Sequence, residues 1–278
     1  MKKRLCIREY HLTCQRDLGV TGTLRLAFLT DIHNKIEKEE GKRIWELLDG
    51  YRPDGVLVGG DVLVGKPGKD IQKAAAFIKA LSDKYPVWYA NGNHEQRIRK
   101  HPEDYGNMGE NYDREIEKTK AVRLVNDKMK SEIRGIPVMI YGFEPEEHYY
   151  DKGLYKKGMR EELERVFGSP EKECYTILLS HHPRYEKEYL DWGADLTLSG
   201  HYHGGVVLLG KKRGLITPDY RPLAGFCCGL QKKGNAHMIV SAGTGEHTIP
   251  VRIHNPREIT MIQVDFFQRV LEKFSVSM

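Results

Sequence analysis

Short apolar runs alternate with helical patterns along most of the chain. Runs rich in Val, Leu and Ile predict buried strands over residues 24–30, 55–60, 87–90, 137–141, 175–180 and 196–200. Three later apolar runs extend the predicted sheet content, over residues 206–209, 237–241 and 259–264. Strands separated by helical segments are typical of an α/β protein, and strands dominate the last third of the chain.

Apolar residues spaced three and four positions apart predict helices between the strands. The first pattern is Ile44, Leu47 and Leu48, the second is Ile71, Ala74, Ala75, Ile78 and Leu81, and the third is Leu163, Val166 and Phe167. Residues 96–112 and 210–225 lack clear periodicity and are predicted to be surface loops that border a site. With no break in composition, we expect one domain over residues 1–278, with a core at about 24–265 and either two or four layers.

Charge and composition exclude several classes of protein. The chain has 44 Lys and Arg against 39 Asp and Glu. A net charge of +5 over 278 residues does not strongly indicate a protein that binds nucleic acid. No apolar run approaches the ~20 residues of a transmembrane segment. The basic start of the chain is like that of a signal peptide, but Arg8 and Glu9 stop an apolar core from forming, so we expect a cytoplasmic protein. The five cysteines contain no CxxC pair, which disfavours a disulfide framework.

Potential metal ligands follow five of the predicted strands directly. The five clusters are Asp31-Ile32-His33, Asp61, Asn91-Gly92-Asn93-His94-Glu95, His181-His182 and His201-Tyr202-His203. The carboxyl ends of strands in an open α/β sheet meet at one crevice, so these clusters are expected to converge. Residues two apart on extended chain point the same way, which favours paired ligands in Asp31/His33 and in His201/His203.

The chemistry of these side chains indicates a transition-metal site. Mixed imidazole, carboxylate and amide ligation suits Mn, Fe or Zn better than Ca or Mg. Each cluster alone has an ordinary explanation, such as a turn at Asn91-Gly92 or an exposed loop at His181-His182. Five clusters in order, each at the end of an apolar run, favour a metal centre instead.

In this order the blocks resemble the calcineurin-like metallophosphoesterase superfamily. Its D-x-H, G-D, G-N-H-E/D, strand-end His and G-H-x-H blocks correspond to Asp31–His33, Gly60-Asp61, 92–95, His181 and 200–203. The resemblance implies a four-layer α/β/β/α sandwich of two mixed sheets, with two divalent metal ions, most simply Mn, Fe or Zn, at one site.

The resemblance also implies a role for each site residue. Asp31, His33, Asp61 and His203 would hold the first metal. Asp61, Asn93, His181 and His201 would hold the second, with Asp61 bridging the two. His181 is preferred over His182 as the ligand. His94 would be a catalytic non-ligand that protonates the leaving oxygen or stabilises the phosphoryl group, and Glu95 or Asp31 would orient a neighbouring imidazole.

The C-terminal segments 250–253 and 256–260 are similar to a bacterial subgroup that includes wall- or membrane-associated phosphodiesterases and UDP-diacylglucosamine hydrolases. The hypothesis is a two-metal phosphoesterase in which metal-bound hydroxide attacks a phosphodiester or pyrophosphate-linked substrate, either a small phosphate ester or a phospholipid-like molecule. Phosphomonoester hydrolysis and a non-catalytic scaffold with a vestigial site are the alternatives. The diester preference depends on flanking basic and aromatic residues: Lys211, Lys212, Arg213, Arg221, Tyr105, Tyr112, Tyr220 and Phe226.

Overall fold

The computed structural model describes residues 5–36, 38–151, 155–205, 208–209, 213–216, 222–224, 226–245, 252 and 255–268. Two mixed six-stranded sheets form the centre of the fold, and a three-stranded sheet lies beside them. The strands are β1 (Cys6–Thr13), β2 (Gly22–Leu29), β3 (Gly55–Val58), β4 (Val87–Ala90), β5 (Val122–Leu124), β6 (Asp127–Ile133), β7 (Ile136–Phe143), β8 (Tyr175–Ser180), β9 (Leu196–Ser199), β10 (Leu208–Leu209), β11 (Arg213–Ile216), β12 (Pro222–Ala224), β13 (Gly229–Lys233), β14 (Ala236–Val240) and β15 (Glu258–Phe266).

The helices flank the two large sheets. They are α1 (Lys38–Tyr51), α2 (Gln72–Lys84), α3 (Asn93–Lys100), α4 (Pro102–Tyr105), α5 (Met108–Glu117), α6 (Met159–Phe167) and α7 (Glu186–Trp192), with 3₁₀ turns at Glu147–Tyr150 and Pro183–Tyr185. In the part of the chain that the structure describes, no helix combines the length and the apolar character needed to cross a membrane.

The first sheet has the order β1-β15-β2-β3-β4-β5, and the second has the order β13-β14-β9-β8-β7-β6. Strands β2 to β5 run parallel, and so do β7, β8, β9 and β14. β15 pairs parallel to β1 and antiparallel to β2, so segments from both ends of the chain share one sheet. The parallel strands bring their carboxyl ends to the same edge.

Three apolar clusters separate four layers of secondary structure. Ala27 and Leu29 of β2 face a cluster shared with α1, α2 and α5, whereas Leu26 and Phe28 face the second sheet. A third cluster joins the far face of the second sheet to α6 and α7. Because alternate residues of the central strands supply two different cores, these strands are buried on both faces. The predicted four-layer α/β/β/α sandwich is confirmed.

Most of the predicted elements are present. The six early strands appear as β2, β3, β4, β7, β8 and β9, the two later ones as β14 and β15, and the three helices as α1, α2 and α6. Of the predicted strand 206–209, residues 208–209 form β10, and the rest lies outside the described residues.

The prediction of a loop over residues 96–112 is wrong. The segment forms the end of α3, all of α4 and the start of α5. Pro102 and Gly106 divide it into pieces too short for a helical period to be visible, although Tyr112 is fully buried. In the second predicted loop, residues 213–216 and 222–224 are strands, whereas Lys211, Lys212, Tyr220 and Arg221 lie outside the described residues.

Candidate metal centre

The five ligand clusters meet where the carboxyl ends of the two sheets adjoin. Asp31 follows β2 and Asp61 follows β3 in the first sheet, and His181 follows β8 in the second. The Asp31 N–H donates to Gly60 O at 3.0 Å. The N–H of His201 donates to Asp31 Oδ2 at 3.0 Å, which links the two sheets at the site. Residues that are distant in sequence therefore share one buried edge.

The ligand segments are left-handed turns rather than the extended chain expected from the D-x-H and H-x-H spacing. The φ angles of Asp31, His33, Asp61, His201 and His203 lie between +47° and +63°. These are five of the nine non-glycine residues with positive φ in the described chain. Such conformations raise the free energy of the fold and concentrate at functional sites, so the surrounding structure must hold them. The paired side chains converge because the backbone turns in the left-handed conformation. The alternation of side chains along an extended strand is not the cause.

One group of potential ligands contains Asp31, His33 and His203. Nε2 of His203 lies 3.3 Å from Asp31 Oδ1 and 3.3 Å from Nε2 of His33. The Asp31 side chain is fully buried. These are the residues that the family resemblance assigned to the first metal, together with Asp61.

A second group contains Asp61, His181 and His201. Nε2 of His181 is 3.2 Å from Asp61 Oδ2 and 3.8 Å from Asp31 Oδ1. Asn93, at the start of α3, is beside this group, because the N–H of the next residue, His94, donates to Asp61 Oδ1 at 2.9 Å. Gly92 leaves room for that approach: a Cβ there would lie 2.2 Å from Asp61 Oδ1.

Backbone carbonyls orient two of the imidazoles. Nδ1 of His181 donates to Gly59 O at 2.6 Å, and Nδ1 of His33 donates to Leu63 O at 3.3 Å. A histidine whose Nδ1–H is bonded in this way presents Nε2 to the site, which is the usual arrangement behind a metal ligand. The two rings are thereby fixed before any cation binds.

His94 is held in the opposite sense. Its Nδ1 accepts a hydrogen bond from the Gly65 N–H at 2.7 Å, so the neutral ring carries its proton on Nε2. That atom lies 3.9 Å from Asp61 Oδ2. Burial lowers the pKa of His94 to about 4, which keeps the ring neutral. His94 is therefore a hydrogen-bond donor directed into the site.

The buried carboxylates of the site are stabilised by positive charge. Burial, together with the Asp61 carboxylate, raises the pKa of Asp31. Burial also opposes ionisation of Asp61, but the neighbouring imidazoles, His181 foremost, hold the pKa of Asp61 well below its usual range. Burial acts against a charged His181, yet the carboxylates of Asp61 and Asp31 raise its pKa to about 10. A proton on His181 supplies the charge that a cation would bring.

Two further observations fit a bound cation. Asn93 Oδ1 and His181 Nε2 are buried and make no hydrogen bond among the residues described. Buried polar atoms are normally satisfied, so two such atoms without a hydrogen bond beside buried carboxylates fit ligands to an ion. The set of imidazole, carboxylate and amide donors suits a transition metal.

Neighbouring residues have roles that differ from those expected. Glu95 does not orient an imidazole; its buried carboxylate accepts the N–H groups of Asp61, Val62 and Gly92 at 2.8–2.9 Å. Glu95 thus supports the backbone around Asp61.

The second histidine of the pair, His182, stacks on the ring of Tyr150 with centroids 4.9 Å apart, and it lies beside His201.

The structure also corrects the set of aromatic residues expected to flank the substrate. Tyr112 is fully buried and bonded to Tyr89, and Phe226 packs in the α6–α7 core. Tyr105 donates to Gly65 O at 3.3 Å, so it supports the loop that binds His94. Tyr150, which lies 5.4 Å from the His201 ring, is the aromatic residue that the sequence analysis missed.

Arg252 and Asn255 form a second contact that the sequence analysis missed. Both side chains are buried and bind the main chain of His203. Arg252 lies in the segment 250–253, which resembles the bacterial subgroup. A single polar residue in a segment without periodicity gives no sign of what it contacts.

Comparisons with known proteins agree with this geometry. The chain is 25% identical over 244 residues to YkoQ, an uncharacterized metallophosphoesterase of Bacillus subtilis, covering 87% of this chain and 83% of YkoQ. It is 27% identical over 247 residues to an uncharacterized metallophosphoesterase of Campylobacter jejuni, covering 87% of this chain and 59% of that protein.

Among solved structures, the 5'-nucleotidase precursor from Thermus thermophilus has a TM-score of 0.50 at 15% identity, covering 81% of this chain and 50% of that one. At this identity the likeness is one of fold alone. The family model of the calcineurin-like phosphoesterases matches residues 24–205, which include all five ligand clusters. The chain therefore belongs to the calcineurin-like phosphoesterase family.

Proposed function

We propose that this protein is a two-metal phosphoesterase that hydrolyses phosphodiesters or pyrophosphate-linked substrates. The observation that carries the proposal is the position of Asp61. Its Oδ2 lies 3.2 Å from a ring nitrogen of His181 and 3.9 Å from ring nitrogens of His33 and His94. One carboxylate between two ligand groups is suited to bridging two cations.

The proposed ligands divide between two positions. Asp31, His33 and His203 would hold the first ion, Asn93, His181 and His201 would hold the second, and Asp61 would contact both. Two divalent cations, when bound, supply charge neutralisation at the phosphate and activation of water. The carbonyl contacts of His33 and His181 keep these rings directed at the site.

His94 would act on the substrate rather than on the ions. Its Nε2–H faces Asp61, and its Nδ1 is engaged by the Gly65 N–H, so the ring is prepared to donate one hydrogen bond. A phosphoryl oxygen beside Asp61 would receive it. A fixed donor aimed at developing negative charge stabilises the transition state.

The preference for diesters rests on the charge that the described residues offer beside the first ligand group. The described arginine beside the first ligand group, Arg252, is buried behind His203 and already donates to His203 O and Gly245 O. It is therefore not free to pair with a phosphate. A monoester carries a second negative charge and gains most from a free cationic side chain, whereas a diester does not.

A comparison of substrates tests this proposal. The chelator-stripped protein is reloaded separately with Mn, Fe, Zn or Co and assayed with para-nitrophenyl phosphate and with the bis-ester under the same conditions. We expect metal-dependent turnover with a higher kcat/KM for the bis-ester. Preference for the monoester would support the alternative of a phosphomonoesterase, and metal binding without turnover of either substrate would support a non-catalytic scaffold.

A further inference from the structure

We propose that Arg252 and Asn255, here called the C-terminal clamp, are positioning residues that hold the first-metal ligands in place. The inference rests on the proposed two-metal function. The clamp lies beyond the matched family segment 24–205, yet both side chains are at least 97% buried, with relative exposures of 3% and 2%. Polar side chains are rarely buried to this degree unless their hydrogen bonds have a structural purpose.

Asn255 fastens the turn that follows β9. Its Nδ2 donates to His203 O and to Gly205 O, both at 2.6 Å. The packing is close, since a Cβ at Gly204 would lie 2.5 Å from Asn255 Oδ1. The side chain therefore binds both sides of Gly204 and fixes the path of the backbone that carries His203.

Arg252 connects this turn to the loop that carries the other first-metal ligand. It donates to His203 O at 3.2 Å, and it donates to Gly245 O at 2.7 Å. The Gly245 N–H in turn donates to Asp31 O at 2.7 Å. One guanidinium thus joins the backbones of His203 and Asp31, which the proposed function assigns to the same ion. Its Nη2 is also 3.2 Å from His203 Nδ1, and because a guanidinium only donates, a neutral His203 accepts there and would have to give up its Nε2 proton to hold an ion.

The turn needs such support because its backbone is strained. His203, Gly204 and Gly205 all have positive φ, at 47°, 72° and 77°. A left-handed histidine persists only where surrounding contacts determine its conformation. Without the clamp, His203 would relax toward ordinary backbone angles and move its imidazole from the site.

Two of the second-metal ligands, His181 and Asn93, are held by other parts of the chain, whereas His201 lies on the same turn as His203. His181 is oriented by Gly59 O, and Asn93 is positioned by the start of α3, where Glu95 binds the neighbouring Gly92 N–H. The clamp contacts described above go to the loops of Asp31 and His203. Loss of the clamp is therefore expected to weaken the first site selectively.

Calorimetric titration with Mn²⁺ alone tests the clamp. Stripped wild type, Asn255→Ala and Arg252→Met are titrated, with His33→Ala and Asn93→Ala as references that identify the first and the second binding event. We expect the first-site Kd to rise about 10–100-fold in both clamp variants, the usual effect of removing a group that orients a ligand. The second-site Kd should change much less, since only His201 of that site lies on the clamped turn.

Arg16→Met is the matched control. Arg16 also donates to a backbone carbonyl, Lys172 O at 2.6 Å, and it pairs with Asp195 at the opposite end of β9. We expect a lower Tm with both Kd values unchanged. If Arg252→Met fails to fold, Asn255→Ala alone is decisive, because the same selectivity is expected of it.

Equal weakening of both sites, or no change at either, would overturn the clamp while wild type still binds two ions. A wild type that binds fewer than two ions would instead contradict the proposed function.

Discussion

His94 offers the clearest separation of catalysis from metal binding at the residue scale. It contributes a donor to the site without being a proposed ligand, so His94→Ala should keep both ions and the fold. The expected loss in kcat is about 10²–10⁴-fold, the usual range for a positioned donor or acid. Turnover of the bis-ester, measured with metal content on the same sample, checks this. His101→Ala, at the end of the same helix, is the control and should be near wild type.

The role of His94 can be resolved further with substrates of different leaving groups. Because its Nδ1 accepts from Gly65, the ring has no free nitrogen for a second proton and acts as a neutral donor. We therefore expect His94→Ala to lose the same factor with good and poor leaving groups. A loss that grows with the pKa of the leaving group would assign His94 as the general acid instead.

Substitution of Asp61 tests whether one carboxylate binds both ions. Asp61→Ala should abolish binding of both, and Asp61→Asn should weaken both, because a neutral amide does not balance two dications. Elemental analysis after equilibration with Mn²⁺ measures this. Asn93→Ala is the matched comparison and should lose mainly one ion. Full two-ion occupancy in Asp61→Ala would contradict the bridging assignment.

The limits of sequence reasoning are clearest at single residues. The ligand types and their order were visible because each follows an apolar run. The local geometry was not, because a D-x-H spacing does not reveal whether Asp31 and His33 are extended or left-handed. The partner of Arg252 could not be predicted either, since a contact between residues 203 and 252 has no local signature.

At the scale of the element, Glu95 connects α3 to the loop after β3. Its carboxylate accepts three backbone N–H groups, those of Asp61, Val62 and Gly92. Glu95→Ala would leave these buried donors unsatisfied, at about 1 kcal/mol or more each. We expect the free energy of unfolding to fall by about 3 kcal/mol or more, measured by urea denaturation. Glu110→Ala, an exposed site on α5, should change it little.

Elements with long, regular patterns were predicted, and short or edge elements were not. β3, β4, β8 and β9 are buried along their whole length, as are residues 26–29 of β2, so their sequences are mainly apolar. β6 is largely exposed at a sheet edge, so its sequence, rich in Lys and Glu, gave no strand signal. The helices α3, α4 and α5 were missed because Pro102 and Gly106 interrupt their pattern.

At the scale of the whole molecule, the site couples metal binding to folding. A bound ion would give the buried Asn93 Oδ1 a partner and would balance the charge of the buried Asp31 and Asp61 carboxylates. Binding to the folded state alone adds about 2.7 kcal/mol at 100 times Kd. We expect Mn²⁺ to raise the Tm of stripped protein, measured by scanning calorimetry, and a chelator to reverse the change. An unchanged Tm after complete stripping and reloading would contradict the coupling.

The fold pairs β1, near the start of the described chain, with β15, near its end. β15 lies between β1 and β2, and the Glu258 carboxylate pairs with Arg8 and accepts the Ala242 N–H. We propose that the chain acts as one domain whose core extends to β1. The strand character of β15 was predicted from its apolar residues, but its position could not be, because strand order depends on contacts between distant segments.

In the proposed enzyme, five strand ends build one phosphoesterase site around two ions. The most direct measurement is the rate of bis(para-nitrophenyl) phosphate hydrolysis as stripped protein is titrated with Mn²⁺. We expect that activity rises and saturates at two ions per chain, and that Asp61→Ala remains inactive throughout. Saturation at one ion, or turnover that persists in stripped protein or in Asp61→Ala, would contradict it.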